Sequence, residues 1–480
     1  MLLVAAPDGA VFEHPSLEMA LDNGLDVSRA GPRDLIPVPE GWDLMAMPGT
    51  RPIGYDPMKG TFVTVTTFTT ADGRTFEPWG VAVHPPPGYV RLFHPAAEYT
   101  DETHPDVKLA KLAPLASPPP RGGTEGGARG LPIVDAGGDE ALRPGLPLWA
   151  YTAVGMSAKG PMAALFLADE TSRWAPSLFY QGDVKDRIAA RVALDPDNQV
   201  LKQLAQCAGD YLCCCAQNVF YERWEGAVPI APACTAACLG CLSKEPEWNT
   251  PTPQKRLKFQ PTSDEIARVI AHHLETAPEP MMSFGQGCEG EPTMNHKVIV
   301  ESVRLARART KRGIININTN GSRPETIRAC AREGASALRI SINTFDREMY
   351  TKYYRPGDYD FDDVVRSLYV GRDEGMHVSI NLLIWPGWTD RLAEVDAISK
   401  IVEDGALQMI QLRNLCVDPG HFRTVLPPRA QRGMLLGMAG FVDELHRRHP
   451  KLRFGTFNPR LAAEWYAEVP PLPQKSARAL

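Results

Sequence analysis

Six short apolar runs recur at 227–232, 281–284, 314–318, 338–342, 378–384 and 409–415, and a helix-like segment fills most of the intervals. That alternation constrains the chain more than any other feature. A parallel neighbour can be reached only by a long crossover, and such crossovers are right-handed. Six units are too few to close an eight-stranded barrel, so the expected class is α/β, with an open, partial (β/α)6 TIM-type barrel over 226–425. In such folds the chemistry lies at the carboxyl ends of the strands. Helix signals agree with the pattern. Thr262 stands three residues before Glu265, a capping-box spacing, and Ile266, Val269, Ile270 and Leu274 then share one face. Pro324 and Gly334 bracket another helical segment.

The remaining chain is less regular. Residues 1–113 carry apolar runs such as 61–69 and 79–83 broken by Pro and Gly, which predicts a mostly β accessory module. Residues 114–145 are rich in Pro and Gly and read as a flexible linker or loop. Residues 146–225 continue the N-terminal module into the core, with strands expected near 146–154 and 163–170 and a helix over 195–212, where Asp195 and Pro196 suit its cap and first position. Residues 426–480 form a C-terminal extension with a helical run at 428–449 and an apolar LRFGTF.

At 480 residues, with 44% hydrophobic and 22% charged residues, the composition is that of a soluble globular protein of two or three domains. A net charge of -6 argues against broad nucleic-acid binding. No stretch approaches the roughly 20 apolar residues that span a bilayer, and the N-terminus lacks the features of a signal peptide. Ten cysteines in such a chain point to a reducing, cytoplasmic setting and to thiol or metal chemistry rather than disulfides.

The first apolar run leads directly into PACTAACLGCLSKEP, which places Cys234, Cys238 and Cys241 in the order Cys-x3-Cys-x2-Cys. Three thiolates in one tight loop suit an iron-sulfur cluster or zinc, and both normally take four ligands. Either a fourth protein ligand arrives from elsewhere, or one metal atom stays open to something that is not protein.

This spacing, after the first strand of such a pattern, resembles the radical S-adenosylmethionine (radical SAM) superfamily over about 226–420. The resemblance implies an enzyme in which Cys234, Cys238 and Cys241 hold a [4Fe-4S] cluster whose fourth iron is chelated by SAM. Reductive cleavage then gives methionine and a 5′-deoxyadenosyl radical that abstracts hydrogen from a substrate. It also implies SAM contacts. Gly290, Glu291 and Pro292 in GQGCEGEPTM would meet the amino group, with Glu291 as an acceptor for the ammonium. Thr319, Asn320 and Gly321, then Ser341 and Asn343 on one strand face, would reach the carboxylate and ribose. Arg355 in YYRP would contact the carboxylate, Asn381 the ribose, and Arg413 or Asn414 the cavity. The resemblance further implies an electron donor such as flavodoxin or ferredoxin and leaves the substrate, small molecule or peptide, unidentified. One departure is Gly240, where many members carry an aromatic residue before the third cysteine; Leu239 or Leu242 would then have to wall the adenine.

The alternative from another class is a zinc- or iron-sulfur-stabilised binding or redox-sensing protein without SAM turnover. Cys207, Cys213, Cys214 and Cys215 read as buried free thiols, an auxiliary iron-sulfur site or a substrate contact. Cys288 and Cys416 fall at the expected catalytic rim, Cys330 within a helix, and His272 and His273 read as a partnerless surface pair.

Overall fold

In the computed structural model, residues 1–39, 42, 44–99, 146–169, 172–244, 252–286 and 289–458 are described. The expected 114–145 linker and Cys288 lie outside them. The centre of the fold is a parallel sheet of seven strands in sequence order: β1 (Glu225–Ala227), β2 (Met281–Phe284), β3 (Ile314–Thr319), β4 (Ala337–Ile342), β5 (His377–Ile384), β6 (Met409–Asn414) and β7 (Arg453–Gly455). Five of the expected runs are strands. The first strand lies earlier than 227–232, because Ile230 and Ala231 give their amides to the Glu289 carboxylate instead of to a ladder. The seventh strand falls in LRFGTF, too short to show a period.

Helices cover the convex face: α4 (Ser263–Thr276), α5 (His296–Arg309), α6 (Pro324–Arg332), α8 (Phe361–Asp373), α9 (Leu392–Glu403) and α11 (Gly437–Arg448), with α7 (Arg347–Tyr354) and α10 (Pro419–Val425) beyond the strand ends. The α4 capping box forms, with Thr262 and Glu265 satisfying each other's amides. Along β3 to β6 the apolar members Ile315, Ile317, Leu338, Ile340, Val378, Ile380, Ile410 and Leu412 enter one core with these helices, and Cys330 of α6 lies in it. The alternate members are polar: Asn316, Asn318, Arg339, Ser341, Ser379, Asn381, Gln411 and Arg413. Strands of a parallel sheet covered on both faces are apolar throughout, so a polar second face marks a cavity.

The curl of the sheet follows from one ion pair. Glu225 of β1 and Arg339 of β4 are separated by two strands, about 14 Å along a flat sheet, yet Arg339 Nη2 lies 3.2 Å from Glu225 Oε1. Only a chord across a concave interior brings them together.

Upstream, α1 (Val184–Ala193), α2 (Gln199–Gly209) and α3 (Cys214–Tyr221) lead into β1. The α2 cap is Asn198, whose side chain accepts from Leu201 N, and not Asp195. Asp195 instead takes the Asn198 amide at 2.8 Å and pairs with Arg268. The N-terminal module is antiparallel. Strands Thr152–Ser157 and Gly160–Ala163 join Gly80–Val83, Leu44–Met47 and Ile36–Pro37 in one sheet, so the chain on either side of the undescribed 100–145 segment shares a module. A second sheet is built on Glu18–Asp22 and Thr50–Asp56. Among the described residues no helix is long and apolar enough to cross a membrane.

Candidate active site

The cysteine loop leaves β1 and is sewn down on two sides. Gly290 N donates to Ala231 O at 2.6 Å and Glu291 N to Ala233 O at 2.9 Å, which ties the loop to the segment after β2. On the other flank Ala237 N donates to Tyr354 O and Leu239 N to Tyr353 O, both at 3.0 Å, and Gly357 N to Thr235 O at 2.8 Å. A glycine is needed at 290, because a β-carbon there would sit 1.8 Å from Ala233 O.

Cys234, Cys238 and Cys241 come together at the carboxyl end of β1. Burial pushes the Cys238 thiol well above its ordinary pKa, and the other two cysteines add to the shift. Cys234 is pushed up to about 11 by burial, with the Glu291 charge acting in the same direction. Arg256 donates to Cys241 Sγ at 3.5 Å and to Ser243 Oγ at 3.0 Å. A bound cation reverses the penalty on such thiolates, so this donor set fits a metal centre. Among the described residues no three His, Cys, Asp or Glu side chains close around a single ion.

Around this loop the strand ends supply polar groups. Asn318 Oδ1 accepts from Asn381 Nδ2 at 3.1 Å, Arg339 Nε at 3.2 Å and Ser341 Oγ at 3.5 Å, and Asn381 Nδ2 lies 3.4 Å from Ser341 Oγ. Ser341 and Asn381 are thus joined through a residue that sequence reasoning passed over. The signal was present, since Asn316 and Asn318 alternate with Ile315 and Ile317. Asn343 is 2% exposed, and neither its amide oxygen nor its nitrogen has a partner. A fully buried orphan amide is costly unless a ligand completes it.

The Glu291 carboxylate accepts from Thr293 N, Thr293 Oγ1 and Thr319 Oγ1 at Oε1 and from Asn320 N at Oε2, at 2.5–2.9 Å, so it straps the loop after β2 to the end of β3. Pro292 is buried behind it in a short 3-10 turn. Arg355 is exposed at the left-handed C-cap of α7, and what its neighbours contribute is the backbone that braces the cysteine loop. Arg413 turns toward Gln411, 3.4 Å away, and the Phe457 ring. Leu239 lies in the core and Leu242 is 41% exposed.

Gly240 has a structural cause. A β-carbon there would meet Cys416 O at 2.4 Å and Tyr353 Oη at 3.1 Å, so the chain after β6 occupies the volume that a side chain would fill. The upstream cysteines diverge. Cys207 is in the core, Cys214 Sγ lies 3.5 Å from Tyr180 Oη, and Cys215 donates to Gln286 Oε1 at 3.8 Å. His272 and His273 are not a surface pair: adjacent helix positions point about 100° apart. His273 is buried with Nε2 2.8 Å from Trp224 O, and His272 Nε2 lies 2.8 Å from Glu222 Oε1.

The N-terminal module docks on the rim of β5 and β6. Arg91 is fully buried and donates to Ile384 O at 3.0 Å and Leu415 O at 3.1 Å, with its guanidinium over the Trp385 ring. Asn414 answers with a two-way contact, accepting from Arg91 N and donating to Tyr89 O.

The radical SAM superfamily model matches residues 228–397, from the residue after β1 into α9. This is a radical SAM domain. It is the domain of an enzyme superfamily whose cofactors are a [4Fe-4S] cluster and SAM. Solved structures similar to the chain include native anSMEcpe with bound AdoMet, at 18% identity over 41% of this chain and 53% of that one, with a TM-score of 0.32. Methylornithine synthase (PylB) is similar at 16% identity over 56% of this chain and 78% of that one, TM-score 0.34. Streptococcus suis SuiB bound to precursor peptide SuiA is similar at 12% identity over 64% of each chain, TM-score 0.33. The chain thus spans about half the length of the first of these. No curated protein sequence matches it.

Proposed function

We propose that the chain is a radical SAM enzyme that cleaves SAM reductively and abstracts hydrogen from a substrate held in the barrel. The supporting observation is the placement of the three-cysteine loop at the carboxyl end of β1, against a sheet face lined by Asn318, Ser341 and Asn381. Cys234, Cys238 and Cys241 would hold the cluster, leaving one iron for SAM. When bound, the pair supplies a one-electron cleavage that generates the hydrogen-abstracting radical.

The chain's own residues bind and shield. Gly290 lets the loop after β2 close onto Ala233, which fixes that backbone beside the cysteine loop where SAM would bind. Asn343, Ser341 and Asn381 present amide and hydroxyl groups to its carboxylate and ribose, while Glu291 acts as a positioning residue through Thr319 and Asn320. The N-terminal module closes the β5–β6 rim through Arg91 and limits water there. No disulfide joins the nine described cysteines, which suits a reducing, cytoplasmic setting, with flavodoxin or ferredoxin as electron donor.

The test is anaerobic reconstitution with iron and sulfide, followed by dithionite and SAM. Formation of 5′-deoxyadenosine, lost in Cys238→Ala, is the expected result. A colourless protein with stoichiometric zinc would overturn the reading, and a cluster without SAM cleavage would point to a redox sensor.

A further inference from the structure

The outward flank of the cysteine loop is basic. Ser243 Oγ donates to Glu289 O at 3.0 Å and accepts from Arg256 Nε at 3.0 Å, and Arg256 Nη2 lies 3.5 Å from Cys241 Sγ. Lys244, the next residue after Ser243, is exposed. The stretch that carries Arg256, 252–262, is pinned from beneath: Leu257 is buried, Phe259 packs against the main core, and Gln260 Nε2 donates to Ile230 O at 3.4 Å. Lys255 and Lys258 on the same stretch are exposed, and it contains no Asp or Glu. Among the described residues no carboxylate pairs with Lys244, Lys255, Arg256 or Lys258. The chain as a whole carries a charge of -6, so four cations beside the cysteines run against its average. Two large apolar side chains border them. Leu242 is 41% exposed, and Met294, in the segment that Ser243 holds, is 46% exposed.

We propose that this face, Leu242, Lys244, Lys255, Arg256, Lys258 and Met294, docks a small acidic electron-carrier protein. The inference rests on the enzyme reading above and names where its electron enters. Reductive cleavage needs an electron from outside the chain, and electron transfer weakens steeply with distance, so the carrier must come close to the cysteine loop. One flank of that loop is closed by the end of α7, through Tyr353 O and Tyr354 O. The flank with Leu242, Lys244, Lys255 and Lys258 is open to solvent. Unpaired lysines steer a partner bearing surface carboxylates and set its orientation. Encounters between electron-transfer partners bury little area, under about 1,200 Å² in total, which two apolar side chains among four cations can serve. Arg256 joins the two levels, since it lies among the lysines and reaches Cys241 Sγ. In the step one electron leaves the carrier, which is oxidised by one unit, and the centre held by the three cysteines is reduced by one. No bond forms or breaks.

The probes are a flavodoxin and a plant-type ferredoxin, both acidic, with cytochrome c as a basic carrier for comparison. Binding to the reconstituted full-length chain is measured by calorimetry at low and high salt. At least one acidic carrier should bind, and raising the salt should weaken it about tenfold or more. The triple variant Lys244→Glu, Lys255→Glu, Lys258→Glu should lose about tenfold or more as well. A second triple, Lys159→Glu, Lys400→Glu, Lys451→Glu, makes the same change in net charge at exposed positions elsewhere and should bind as wild type does. Formation of 5′-deoxyadenosine driven by dithionite should be equal in both triples, whereas formation driven by the reduced carrier should fall only in the first. Failure of both acidic carriers to bind, equal binding of cytochrome c, or equal loss in the two triples would each overturn the proposal. So would wild-type binding by the first triple. Dithionite-driven cleavage without carrier binding sinks this inference alone. Carrier binding at this face without cleavage by either reductant sinks the enzyme reading.

Discussion

Gly240 and Cys416 are in backbone contact: a β-carbon on Gly240 would lie 2.4 Å from the Cys416 carbonyl oxygen. The cysteine loop and the end of β6 are thereby pressed together where a side chain has no room. Gly240→Ala must push one of them away, and Gly240→Tyr more so. Both should lower iron per chain after reconstitution, the tyrosine variant below half of wild type. Iron assay and the cluster's visible absorption check this.

The Glu225–Arg339 pair is 9% and 1% exposed at its side chains. Removing one partner of such a pair strands a buried charge and typically costs about 3–5 kcal/mol. Glu225→Gln should therefore melt well below wild type. Replacing both residues by Gln and Met should recover much of that loss, since neither member of the pair is then left charged without its partner. A double-mutant cycle from denaturant midpoints measures the coupling.

Arg91 tests how the N-terminal module is held. Its Nη2 donates to Ile384 O at the end of β5 and to Leu415 O just after β6, its Nη1 reaches Tyr151 O at 3.5 Å, and the planar group lies 4.8 Å over Trp385, a combination that a lysine cannot copy. Arg91→Lys should destabilise by about 2 kcal/mol or more, from one lost charged hydrogen bond and the lost ring contact. Limited proteolysis should then cut the N-terminal module faster than in wild type.

Buried histidines set an acid limit. Burial depresses His273 to about 4, against 6.5 for an ordinary histidine. A depressed folded pKa gives stability that is complete above 6.5 and lost as pH falls toward 4. For one such group that is about 2 kcal/mol between pH 6.5 and 5. His273→Gln keeps a donor for Trp224 O and removes the titration. Its melting temperature should change less between pH 7.5 and 5.0 than that of wild type. Some dependence should remain, since His84 and His377 are also lowered to about 4 by burial.

The sequence alone determined the repeating unit and the thiol loop, because both are local. A period of two in β3 to β6, a capping box at Thr262 and a three-cysteine spacing each act within a few residues. It did not determine how the strand ends spend their polar groups. Glu291 stands out in the sequence as an acceptor, and only the fold brings Thr293 and Thr319 to one of its oxygens and Asn320 to the other. Arg413 was expected to face the cavity, and the fold sets it 3.4 Å from Gln411 and beside the Phe457 ring. Gly240 looked like a defect until the chain after β6 arrived against it. Hydrogen-bond saturation and charge balance depend on residues far apart in sequence, so only the tertiary structure decides which buried group is already satisfied and which still awaits a ligand.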